Sequence, residues 1–378
     1  MARNSEFYKG RRKRRNRVLV PAAIALAIIS LAVVLFYGIQ KYAVITKERV
    51  SVRLPFLTGE ESLLAARDDE TALELETTNV SIIFQEPDYS SVQQQVDGDV
   101  PPVRAIFLAS NEITRDKLVE SAGRLIKGNA LVLEMKPASG ALIWDSKTSV
   151  AASYGLAGNP LSDDVKAALT AIKEQGVYLV AQISVCRDDL FASRSTIVTL
   201  RNKDTGGNYI DDGGAWLDAY SMELRRYTVE LVRELYSMGF DEVVLANVMH
   251  PTLPEGVSLL YTRDMSTSPG PVNAVCGFAL AVAQELSDRD GYLSIYLNSA
   301  PALVRADANT GQDGRLFMKL FDRVYYNTDR YAYTYNLNDI APYVTVGKAT
   351  NRFVPVVINY LPDNSETVSW CSSTGNKM

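Results

Sequence analysis

Chemistry by a protein needs titratable or nucleophilic side chains held where a substrate can reach them. Here the supply is narrow. There is one histidine, His250, and three cysteines, Cys186, Cys276 and Cys371, scattered with no C-x-x-C pair. A histidine-built metal site is excluded by count, the cysteines read as small buried residues, and no metal or other cofactor is expected. No G-x-G-x-x-G follows a strand-like run, so dinucleotide binding has no support. Carboxylates remain, and two carboxylates whose pKa values are pushed apart can act as acid and as base or nucleophile.

Glu134 is the best single catalytic candidate, because it ends a strand-like run at residues 130–135. Its competing role is an ion pair with Lys136 or Arg187. Asp188 and Asp189 follow another run, at 177–183, where a solvated loop or a helix cap is the simpler role. Asp218 reads as a helix cap. Asp241 and Glu242 enter a strand, the end of a barrel that serves stability. Asp211 and Asp212, in GGNYIDDGG, read as a loop over the mouth without the twelve-residue calcium pattern. His250, just past a strand, is an ordinary loop residue or a ligand contact.

The elements that must position these residues are clearest at 216–251. An amphipathic helix with Leu224, Thr228, Leu231, Leu235 and Met238 at helical spacing starts after Asp218 or Ser221 and stops at Gly239. An apolar strand follows, and Ala246, Asn247, Met249 and His250 come after it, where parallel α/β folds place their chemistry. Strand-like runs recur at 103–108, 130–135, 177–183, 242–246, 292–297, 323–326 and 353–359. Helices capped by Thr114 and Ser162, and a third at 271–286, lie between them. This alternation predicts a parallel sheet, and its length predicts a TIM-type (β/α)8-like barrel. No eighth strand is evident, so the barrel is expected to be incomplete or closed by an upstream strand, with 80–84 (VSIIF) as the candidate.

Residues 1–17 hold eight basic residues against one glutamate, while the whole chain carries −5, leaving a markedly acidic remainder. That remainder argues against nucleic-acid binding. Residues 18–37 carry no charge and are long enough to span a bilayer, with the basic side cytoplasmic. The expected organisation is a basic tail at 1–17, a membrane anchor at 18–38, a stalk at 39–100, a barrel at 101–362 outside the cytoplasm and a polar tail at 363–378.

The segments VRAIFLAS, ALVLEMKPASG, VYLVAQISVCRDDL and GAWLDAYSMELRRYTVELVRELYSMGFDEVVL resemble a glycoside-hydrolase-like barrel domain of bacterial surface proteins, a domain of unknown function related to the α-amylase-like barrels. Glu134, Lys136, Trp216, Asp218, Gly239, Phe240, Asp241 and Glu242 match its pattern. The family's fourth strand is similar to FDEIQFDYVRFP; here it reads FDEVVLANVMHP, with Ala246 for the acid and Met249 for the arginine. At the fifth strand Tyr296 stands where a second carboxylate is expected. The resemblance implies a glycan of the cell wall or surface as partner, contacted by Lys136, Trp144, Arg187, Trp216, Asn247, His250, Tyr296, Asn298 and Tyr325. The departures imply a binder that has lost catalysis. The alternatives are an active hydrolase using Glu134 with a loop acid, and a structural envelope protein.

Overall fold

The computed structural model describes residues 43–46, 49–52, 87–96, 98–125, 129–262, 270–329, 331–362 and 368–373. The chain divides into two units, Met1–Ile83 and Phe84–Met378. In the first, Ala43–Thr46 and Arg49–Val52 form an antiparallel hairpin. The basic tail, the span at 18–38 and the segment 80–84 lie outside the described residues. Among the described residues no helix is long and apolar enough to cross a membrane.

The second unit contains a closed barrel of eight parallel strands. In chain order these are β1 Arg104–Leu108, β2 Ala130–Lys136, β3 Tyr178–Ser184, β4 Glu242–Ala246, β5 Tyr292–Leu297, β6 Arg323–Asn327, β7 Phe353–Ile358 and β8 Trp370–Ser373. Closure differs from the expectation: β8 lies in the segment read as a polar tail and pairs with both β7 and β1. It escaped notice because four residues, WCSS, carry little apolar signal. The serines in and just before it bond to backbone groups of neighbouring segments. Ser369 Oγ accepts from Val103 N at 3.3 Å, Ser372 Oγ donates to Tyr360 O at 2.6 Å, and Trp370 fills the outer layer.

Helices cover the barrel for the reasons the pattern suggests. In α1 (Arg115–Gly123), α2 (Asp163–Glu174) and α3 (Met222–Ser237), the side chains of Thr114, Ser162 and Ser221 accept the third backbone N–H beyond them. Ser221, not Asp218, caps α3. Leu224, Leu231, Val232 and Leu235 of α3 are buried, and Gly239 takes φ 96° to turn the chain into β4.

The floor of the barrel is ionic. Glu242 and Arg323 are fully buried and lie 2.5 Å apart. Tyr178 and Tyr325 each donate a hydroxyl to Glu242 at 3.0 Å. The guanidinium sits 5.8 and 5.1 Å from the ring centroids of Tyr178 and Tyr292, and donates to Pro101 O at 2.6 Å. A buried pair adds little over an apolar replacement, but breaking it strands a charge at a cost of ~3–5 kcal/mol. Glu242→Leu is therefore expected to lower the unfolding free energy by about that amount in denaturant titration, and Glu242→Leu with Arg323→Met to recover most of it. A single variant within about 1 kcal/mol of the parent would contradict this role for the pair.

Candidate functional site

In a barrel of this type side chains from alternate strands share a level. Carried round the observed register, the inward positions stack from the Glu242–Arg323 floor upward. Ala105, Val180, Ser294 and Val354 form one level, and Val132, Val244, Tyr325 and Cys371 the next. Above them lie Phe107, Gln182, Tyr296 and Val356. The uppermost level to which four strands contribute, at the ends where such barrels carry their sites, is Glu134, Ala246, Asn327 and Ser373. Glu134 is its one carboxylate. Across the barrel from it, on β6, stands the amide of Asn327.

Glu134 is half-buried, and its Oε2 accepts the Ser110 backbone N–H at 2.9 Å. Neither expected cation neutralises it. The register slips between Glu134, opposite Gln182, and Lys136, opposite the outward-facing Ile183. That bulge turns Lys136 out of the lumen, where it is buried on Asp188 at 2.7 Å and on Ser184 O at 2.6 Å. Asp188 also caps Asp189–Arg194 through Phe191 N at 2.7 Å, so it is unavailable as a second catalytic acid. Arg187 pairs with Asp211 and lies 4.6 Å from the Trp216 ring centroid; Trp216 Nε1 donates to the same aspartate at 2.7 Å. A Cβ at Gly213 would lie 1.7 Å from the guanidinium, so a larger residue there would displace the Arg187 head group. Arg187 and buried Trp216 thus lock the loop after β3 and do not present themselves to a ligand.

Other expected contacts also move. Trp144 lies outside the barrel, its Nε1 donating to Glu234 at 2.9 Å, beside a cavity of about 800 Å³ between α2 and α3. Tyr325 belongs to the lower lumen, with its hydroxyl on Glu242. Asp218 holds Thr262 through its backbone N–H at 2.6 Å and its hydroxyl at 2.8 Å. The mouth keeps Asn247, Tyr296 and Asn298. Asn247 takes φ 54° and donates to Ser184 Oγ at 3.0 Å. Asn298 is exposed. Tyr296 is buried one level beneath Glu134, and its hydroxyl has no partner.

Three mouth residues went unrecognised in the sequence. Asn327 borders a cavity of about 360 Å³ with Thr328, Asp329 and Ile358. Gln312 is buried, and its Nε2, with two hydrogens to give, lies 3.1, 3.1 and 3.2 Å from Val248 O, Tyr296 O and Asn298 Oδ1, tying the ends of β4 and β5 together. Glu112, in the turn after β1, accepts the Ala109 N–H at 3.1 Å. Since Glu134 accepts the very next amide, the two carboxylates are no more than about 10 Å apart. The signals were an amide ending β6 and an acid just past β1; neither stands out without the register.

His250 is buried. Nδ1 lies 2.8 Å from Pro251 O, a carbonyl, so Nδ1 carries the proton; Nε2 then accepts from the Tyr261 hydroxyl at 2.9 Å. Burial pushes the imidazole below its ordinary pKa of 6.5, against the opposing pull of Asp218. Its position holds a loop together and offers no free nitrogen to a ligand.

A closed parallel barrel covered by helices, with its polar level at the C-terminal strand ends, is a TIM-type barrel. Residues 105–358 match the family described as "Putative glycosyl hydrolase domain", and the chain belongs to that family. Among solved structures, it is similar to the PgaB (BpsB) glycoside hydrolase domain from Bordetella bronchiseptica, at 14% identity and TM-score 0.47, covering 72% of this chain and 94% of that one. It is also similar to a hypothetical protein from Ruminiclostridium thermocellum (17% identity, TM-score 0.43, covering 50% and 96%) and to a chitinase from Chromobacterium violaceum (12%, 0.37, 68% and 69%). No curated protein matches the chain.

The His250 environment predicts a pH dependence. With the folded pKa below the unfolded value, the unfolded chain binds the extra proton first, so stability is full above about 6.5 and falls as pH drops through and below that value. Denaturation midpoints between roughly pH 7 and 5 are expected to decline in the parent and to flatten in His250→Gln, the chain having no other histidine. An unchanged slope in the variant would show that His250 does not set it.

Proposed function

We propose that this chain is a membrane-anchored, extracytoplasmic barrel that binds cell-wall or surface glycan at its mouth and no longer hydrolyses it. The observation that carries this reading is the uppermost lumen level. Glycoside hydrolysis uses two carboxylates flanking the scissile bond, one as acid and one as base or nucleophile. Here Glu134 faces Asn327, Ala246 holds the position where the resembled pattern has its acid, and Tyr296 lies one level lower. Alanine can neither protonate a leaving group nor attack, and an amide cannot do either at neutral pH. The polar level and the neighbouring exposed Asn298 still offer hydrogen bonds to hydroxyls. Anchoring rests on residues 1–38, a basic cluster followed by an uncharged run. Deleting them is expected to release the protein from the membrane fraction.

One observation favours a second reading, an active hydrolase: Glu112 lies within about 10 Å of Glu134, inside the range such pairs span. Against it, Glu112 comes from the turn after β1, beside Glu134 rather than across the lumen. Incubation with purified wall fragments decides between them. The binding reading predicts retention of the protein on the fragments with no release of reducing ends. Release of reducing ends that disappears in both Glu134→Gln and Glu112→Gln would overturn it and establish the hydrolase. Absence of retention together with absence of cleavage would overturn both.

A further inference from the structure

Resting on the reading of the mouth as a glycan site, we infer that its sugar carries a free amine, and that the ammonium of a de-N-acetylated amino sugar sits on Glu134, above Gln182 and Tyr296. Among the described residues no lysine, arginine or histidine pairs with Glu134 or with Glu112. The two cations expected at the mouth are already committed, Lys136 to Asp188 and Arg187 to Asp211. A half-buried carboxylate without a counter-charge is costly, and a second one within about 10 Å adds to the negative potential. Among the described residues no group of three or more histidines, cysteines and acids converges as a metal site.

The level beneath points the same way. Gln182, the register partner of Glu134, and Tyr296 are 3% and 2% exposed, and among the described residues Gln182 Oε1 and Tyr296 Oη both lack a hydrogen-bond partner. Both face the lumen under Glu134. The carboxylate and the amide oxygen only accept, while the phenol can both donate and accept. An ammonium brings three donors and no acceptor, which suits the carboxylate and supplies the charge. An N-acetyl group brings a carbonyl oxygen and one N–H, leaving Glu134 uncompensated. The same chemistry could come from a free polyamine; the sugar is favoured because the family scaffold is a glycoside-hydrolase barrel and the adjoining Asn298 and Asn327 suit hydroxyls.

The test is calorimetric titration of the full chain with a glucosamine hexamer, an N-acetylglucosamine hexamer and spermidine. The glucosamine hexamer is expected to bind at least about tenfold more tightly than the acetylated one, the scale of a charge-assisted hydrogen bond, and to weaken as salt rises. Glu134→Gln, which keeps an acceptor for the Ser110 N–H, is expected to erase that preference while melting like the parent. Tyr296→Phe, which removes only the hydroxyl, is expected to reduce it. Equal binding of the two hexamers, or a preference that survives Glu134→Gln, overturns the inference and leaves glycan binding standing. Spermidine binding as tightly as the glucosamine hexamer overturns the sugar assignment. Binding of neither hexamer overturns the glycan reading as well.

Discussion

The ion pair between Glu242 and Arg323 is the constraint on which the rest of the barrel depends. It joins β4 to β6 across the floor, recruits Tyr178 from β3 and Tyr325 from β6, and stacks against Tyr292 of β5. Two buried charges are tolerated when most of their lone pairs and protons are met, as here among the described residues for all but Arg323 Nε, and a one-residue slip of any of these strands would turn a partner to the opposite face. The pair therefore selects one register, and the register decides what reaches the mouth. Given Glu242 at the floor, β4 must present Val244 and then Ala246 inward; given Arg323, β6 must present Tyr325 and then Asn327.

The mouth is where that geometry becomes chemical. Positive groups that could neutralise it have been drawn away into the scaffold. The bulge in β2 sends Lys136 outward to Asp188, and the hairpin of Ile210–Asp211 and Gly214–Ala215 captures Arg187. What remains facing the lumen is Glu134 with amide and phenol oxygens around it. The same residues that stabilise the loops thus set the charge of the opening. Across the lumen from Glu134 the same level carries the amide of Asn327 and no acid.

Much of the fold was legible in the residues. The strands at 242–246 and 292–297 and the caps at Thr114, Ser162 and Ser221 follow directly from apolar runs and capping chemistry. The eighth strand was not, because Trp370–Ser373 is short and its two serines interrupt any apolar pattern. The site was half legible. Glu134, Ala246 and Tyr296 follow from strand position alone. Trp144, Trp216, Lys136 and Tyr325 are turned to the scaffold or the lower lumen, since position near a strand end does not say which face a bulge or a loop will give a side chain. Asn327, Gln312 and Glu112 become visible only when the strands are set in register.

The central claim is that the uppermost lumen level holds sugar without cutting it. A crystal structure of the protein soaked with a glucosamine oligosaccharide tests this most directly. The account predicts an intact chain at the barrel mouth with an amine nitrogen within hydrogen-bond distance of Glu134. Sugar bound instead in the outer cavity between α2 and α3, or a cleaved product in the mouth, would contradict it.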